Sequence, residues 1–209
     1  MKILIILGLV FTFAATSIAE PRSDWWPEDE DIIGLFADEY ADRADTDIIP
    51  YVLVDVHLLA ILTPSFDSGI TYARFRLENL PSNDGYPTGQ IAMEFTSDLT
   101  EGDIRSDFSI TWTEAQGAGN YIAHIGTLEF LMFDINWIGP DHMISVRRGL
   151  DCDCLYTING NGQAHGGIGC SFFFNCTNPE DCAFGYSPCW DGEPVAVEES
   201  SWSLVKSLF

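Results

Sequence analysis

The side-chain alternation between positions 52 and 60 is the strongest constraint on what this chain can fold into. Val52, Val54, Val56, Leu58 and Ala60 alternate with Leu53, Asp55, His57 and Leu59, so one face is uniformly apolar and the other mixed. A period of two places successive side chains on opposite faces of an extended strand and does not fit an amphipathic helix. The same period returns over 70–77, where Ala73, Phe75 and Leu77 share one face and Tyr72, Arg74 and Arg76 the other, with both arginines expected in solvent. Further strands are expected at 32–37, 90–95, 107–113, 143–146, 155–158 and 171–174. The run 121–137 carries Leu131, Phe133, Ile135 and Trp137 on one face and Leu128, Phe130 and Met132 on the other. Apolar residues on both faces predict a strand covered on both sides, the alternative being one core face and one docking face. Turn-rich clusters at 63–69, 81–87 and 117–120 separate these segments. Many short strands with little helical periodicity between them predict an all-β fold, an antiparallel β-sandwich, with a closed barrel as the competitor.

The ends and the charge narrow the setting. Lys2, the apolar run 3–13 and the small residues Ser17 and Ala19 read as a signal peptide over 1–19, cleaved after Ala19. The apolar run is shorter than the ~20 residues a bilayer helix needs, so no membrane span is expected after cleavage. An acidic leader at 20–30 carries the pair Trp25 and Trp26. The sandwich is expected over 31–175, a Cys-rich extension and linker over 176–194, and a C-terminal tail over 195–209. In that tail a short helix would set Trp202, Val205 and Phe209 on one face, beside Leu204 and Leu208, with Lys206 near its end. Nine Lys and Arg stand against 32 Asp and Glu, a net charge of −23. Such a surface repels phosphate backbones and anionic lipid, which disfavours nucleic-acid binding.

Cys152, Cys154, Cys170, Cys176, Cys182 and Cys189 crowd one segment, and no cysteine precedes them. An even number in an exported chain implies disulfides, each contributing about 2–4 kcal/mol; the spacing does not select a pairing. The paired C-x2-C knuckles of a structural zinc site are missing.

Chemistry is harder to find. Asp38, Asp42, Asp45 and Asp47 could hold calcium, a hard cation that takes several oxygens from a flexible loop, although EF-hand ordering is missing and a solvated loop fits as well. Asp55 and His57 share a strand face without the G-x-S-x-G elbow of a hydrolase, and His124, His142 and His165 show no metal-ligand spacing. Trp25 and Trp26 could stack on a sugar or dock back on the domain. Asn159-Gly160-Asn161-Gly162 reads as a turn, and Asn175-Cys176-Thr177 matches a glycosylation pattern.

Two stretches carry resemblances. Val197-Glu198-Glu199-Ser200-Ser201-Trp202-Ser203-Leu204-Val205-Lys206-Ser207-Leu208-Phe209 resembles the terminal W-x-x-V/I-K-x-L-Y/F tail of a group of secreted bacterial proteins, with Ser203 where Gly is common. That tail implies a sorting or attachment signal. The segments 70–80 and 128–146 are similar to cohesin-like and other immunoglobulin-like modules, which implies a sandwich of that kind; the cysteines add a disulfide-rich C-terminal segment to it. The expected function is a secreted, non-catalytic extracellular or cell-surface module that binds a protein or glycan partner. A secreted glycan-active hydrolase using paired carboxylates is the alternative from another class.

Overall fold

The computed structural model describes residues 31–63, 68–82, 88–152, 154–177 and 189–190. The signal, the leader with Trp25 and Trp26, Cys182, and the tail with Trp202, Val205, Lys206, Leu208 and Phe209 lie outside the described residues. The strands are β1 (Asp31–Phe36), β2 (Asp45–Thr46), β3 (Leu53–Ile61), β4 (Ile70–Glu78), β5 (Gly89–Phe95) and β6 (Leu99–Asp103). They continue with β7 (Asp107–Gln116), β8 (Ile122–Met132), β9 (His142–Arg147), β10 (Tyr156–Asn159), β11 (Ala164–Phe174) and β12 (Cys189–Trp190). The expectation of an all-β fold holds. β2, β6 and β12 were not anticipated, and β11 begins well before position 171.

The strand order is β5-β8-β3-β1-β11-β10-β4-β7-β6, with β9 beside both β4 and β11. One layer is β5-β8-β3-β1 and the other is built around β4, β7 and β9. β11 serves both, pairing with β10 through Ala164–Gly166, with β1 through Gly167–Gly169 and with β9 through Ser171–Phe174. β5 and β6 end the order and do not pair with each other, so the architecture is an open sandwich rather than a closed barrel. Its pairing is mixed: β1 and β2 each run parallel to β11, where the sequence pattern predicted antiparallel neighbours throughout.

The inward faces interdigitate in one core. Ile33 and Leu35 of β1, Val56, Leu58 and Ala60 of β3 and Phe130 of β8 meet Phe75 of β4, Ile110 and Trp112 of β7 and Phe172 and Phe174 of β11. A smaller cluster, Ile32, Phe36, Leu59, Ile61, Ala41 and Cys170, is buried on the other side of β1 and β3. Along β8 the inward residues are Ala123 and Ile125, then Leu128, Phe130 and Met132, a change of parity absorbed by a register shift opposite Leu58 and Leu59. Gly126 occupies that shift, where a Cβ would lie 2.5 Å from the Glu94 carbonyl oxygen and 2.8 Å from Phe95. The run 121–137 therefore departs from the expected doubly covered strand: β8 stops at Met132, and Ile135 beyond it is 70% exposed.

Cys152 and Cys154 form a disulfide in the turn between β9 and β10, and Cys170 and Cys176 are also disulfide-bonded. Of Cys189 only the backbone is described; it lies opposite Cys170 in the β11–β12 register. Asp31 is the buried carboxylate among the described residues. It accepts hydrogen bonds from the Thr63 N–H at 3.0 Å and from the Thr157 hydroxyl, joining β1, the end of β3 and β10. Burial raises its pKa above the ordinary carboxylate range, against the lowering effect of Thr157, Thr63 and His165.

Two outcomes follow from this packing. Gly126→Ala forces β5 away from β8 and should cost about 1–3 kcal/mol, read as a lower denaturant midpoint at unchanged slope. Because the folded-state pKa of Asp31 is raised, its favourable contribution is present below about pH 4 and is lost as pH rises through the folded pKa. Asp31→Asn keeps an acceptor for Thr63 and carries no charge. The melting temperature of the wild type should therefore fall relative to the variant from about pH 4 upward, and parallel curves would show that burial does not govern this group.

Candidate interaction face

The outward side of the β5-β8-β3 layer is built by period two. Leu53, Asp55 and His57 of β3 lie opposite Leu131, Glu129 and Thr127 of β8. Those residues of β8 lie opposite Gln90, Ala92 and Glu94 of β5. Asp55 and Glu129 are therefore like charges in directly opposed positions, an arrangement that costs a few tenths to about 1 kcal/mol in an isolated pair of strands.

At the start of β3 the chain leaves apolar side chains in solvent. Ile49, Tyr51, Val52 and Leu53 are exposed, Tyr51 by 75%, with Leu53 on the face of Asp55, and Ile135 is exposed in the loop after β8. The arrangement is held rather than loose. The Tyr51 N–H donates to the Met132 carbonyl at 2.7 Å, and the Tyr51 and Phe133 rings lie 6.2 Å apart. Tyr51 adopts φ 63°, a left-handed conformation unfavourable for a bulky residue. The N–H groups of Phe133 and Asp134 both donate to the Thr88 carbonyl at 2.8 Å. Trp137 lies flat against Gly89, where a Cβ would come within 2.0 Å of its ring, and its indole N–H donates to the Ser82 carbonyl. Thus Trp137 anchors the loop while Ile135 is presented. The signal for this end was the apolar run continuing past the length of a strand.

The histidines give a second departure. His124 has no sequence neighbour that suggests a partner, yet the register shift lets both His124 and Thr127 point outward, and His124 Nε2 lies 3.3 Å from His57 Nδ1. Burial first, then the charge of His57, holds the His124 pKa below the usual imidazole value, with Glu39 opposing.

Arginines are engaged elsewhere. Arg74 makes a two-point contact with Asp107, whose carboxyl is held below the usual range by that hydrogen bonding. Arg76 and Arg147 both reach Glu78, and Arg105 donates to the carbonyls of Leu80 and Pro81. Arg74 and Arg76 are therefore not free in solvent as expected from their strand face. No salt bridge among the described residues reaches Asp55, Glu94 or Glu129.

Other expected sites resolve differently. Asp38 Oδ1 accepts from the N–H groups of Tyr40 and Asp42, and Asp45 faces Arg43 at 3.7 Å. Asp38, Asp42, Asp45 and Asp47 are not drawn together: among the described residues no group of three or more metal-ligating side chains forms. The loop satisfies its own backbone instead. Asn159 Oδ1 accepts from the N–H groups of Asn161 and Gln163, which makes the 159–162 segment a turn. Asn175 is engaged inside the fold, accepting from Ile48 N–H and donating to the Ile138 carbonyl. An open depression lined by Asn79, Leu80, Pro81, Pro140, Asp141, His142 and Met143 contains one carboxylate, that of Asp141, which accepts from the Thr177 N–H at Oδ1 and from the Thr177 hydroxyl. It does not present the facing pair of carboxylates that glycoside hydrolysis requires. Among the described residues no helix is long and apolar enough to cross a membrane.

No protein-family model matches the chain, and no curated protein matches it. Among solved structures, the sixth cohesin of scaffoldin B from Acetivibrio cellulolyticus, determined with a dockerin, is 9% identical at a TM-score of 0.41, covering 66% of this chain and 92% of that one. A Clostridium thermocellum cohesin, also determined with a dockerin, is 9% identical at 0.41 over 70% of this chain and 99% of its own. The cohesin module of a family 33 glycoside hydrolase from Clostridium perfringens is 8% identical at 0.41 over 70% and 96%. Likeness at this level carries no argument about partner or activity, which leaves the face described above as the basis for both.

Proposed function

We propose that this chain is a secreted, non-catalytic module that docks a protein partner on the apolar end of the β5-β8-β3 face. The observation that carries this reading is the joint exposure of Ile49, Tyr51, Val52, Leu53 and Ile135 beside Asp55 and Glu129. Contiguous exposed apolar groups with a polar border are the usual anatomy of a protein contact. The charge selects the partner. A second copy would bring another net charge of −23 against this face, so a partner with a basic rim around an apolar centre fits and self-association does not. Aliphatic groups dominate the patch, whereas sugar platforms rely on aromatic rings. Oxidised Cys152, Cys154, Cys170 and Cys176 support an extracellular setting, in keeping with a signal over 1–19 and a tail over 195–209 that directs attachment.

The test places a photo-crosslinking residue at Ile135, identifies what it captures in the medium of the source organism, and titrates that purified protein. Leu53→Asp and Ile135→Asp, both at exposed positions, should each weaken binding at least tenfold without lowering the melting temperature, and affinity should fall with added salt. Crosslinking only to a second copy, or an affinity that neither substitution changes, would overturn the proposal. So would binding that oligosaccharides compete away.

A further inference from the structure

His57 and His124 converge from two paired strands, β3 and β8, and bring Nδ1 of one to 3.3 Å from Nε2 of the other. Both side chains are partly exposed, with ring centroids 5.5 Å apart and planes inclined by 59°. A tetrahedral zinc ion with Zn–N bonds of 2.0–2.1 Å sets two imidazole nitrogens about 3.3–3.4 Å apart. The two nitrogens share a hydrogen bond at this separation, and a shift of the bridging proton to the other nitrogen of its ring would leave both bare at the spacing of a chelate.

Several features make the pair more than a chance contact. Each histidine sits on a strand rather than a loop, and the β8 register shift that turns His124 outward is fixed by Gly126, which admits no side chain. Site precision of this kind belongs to rigid elements. Glu39, in the loop after β1, acts on His124 through its charge. Asp55 and Glu129 lie on the same face and add a negative field that draws cations.

We propose that His57 and His124 form a two-imidazole chelate for a borderline divalent transition ion of the zinc or copper class, with water completing the coordination. Imidazole nitrogen suits zinc, copper and nickel, whereas calcium and magnesium take oxygen ligands, so the site discriminates by donor chemistry against the ions an acidic surface otherwise gathers. It does not depend on the docking reading.

The test is calorimetric titration of the full oxidised chain with zinc in the presence of excess magnesium and calcium. One zinc per chain is expected, with His57→Gln and His124→Gln each weakening it at least tenfold, and with copper bound more tightly than zinc. The wild-type copper complex should also show nitrogen hyperfine structure in its paramagnetic resonance spectrum, a readout that needs no variant to fold. Zinc that magnesium or calcium displaces, zinc affinity unaltered by both substitutions, or a copper spectrum without nitrogen coupling would overturn the assignment.

Discussion

The sandwich depends on β11. Successive thirds of this strand pair with β10, with β1 in parallel, and with β9, so one continuous backbone ties the two layers. Its far end supplies Phe172 and Phe174, whose rings meet edge-on at 5.2 Å, and Phe174 also meets Phe130 from the opposite layer at 4.9 Å. Close packing at Gly169, where a Cβ would fall 2.0 Å from the Val146 carbonyl oxygen, shows why the strand carries glycine as it passes between layers. Asp31 and the disulfide-bonded Cys170 act at the same junction. The first holds β1 to the ends of β3 and β10, and the second lies in the cluster behind β1.

Charge is arranged around this frame rather than distributed over it. Arg74, Arg76, Arg105 and Arg147 are drawn into local contacts on the β4, β7 and β9 side. The opposite face keeps Asp55, Glu129 and Glu94 without ion-pair partners among the described residues. A fold selected for stability alone would not set Asp55 against Glu129 on neighbouring strands. The arrangement is coherent as a surface that awaits a cation, whether the rim of a protein or a metal ion beside the two histidines.

Local alternation made much of this legible. β3, β4 and β7 could be placed because Val56, Leu58 and Ala60, then Ala73, Phe75 and Leu77, keep parity through each core-facing stretch. Where parity breaks, at Ile125 to Leu128, periodicity alone could not tell a bulge from a doubly covered strand, and the pairing of His57 with His124 depends on that bulge. β6 was hidden because all of Leu99–Asp103 is exposed and its pairing with β7 leaves no apolar signature. The parallel β1–β11 contact joins residues far apart in the chain, information that no local pattern contains. The acidic loop shows the same limit of local pattern. Asp38, Asp42, Asp45 and Asp47 are close in sequence, but Asp38 turns to its own backbone and Asp45 to Arg43.

The backbone beside the exposed apolar side chains is held by the frame itself, with no partner bound. Residue-resolved amide hydrogen exchange on the oxidised, unliganded chain reads this out. The N–H groups of Tyr51, Phe133 and Asp134, which donate to Met132 and Thr88, should be protected together with the core amides of β11 although they sit beside solvent-exposed side chains. Exchange at those three positions as fast as in an unfolded peptide, with β11 still protected, would contradict a preformed face.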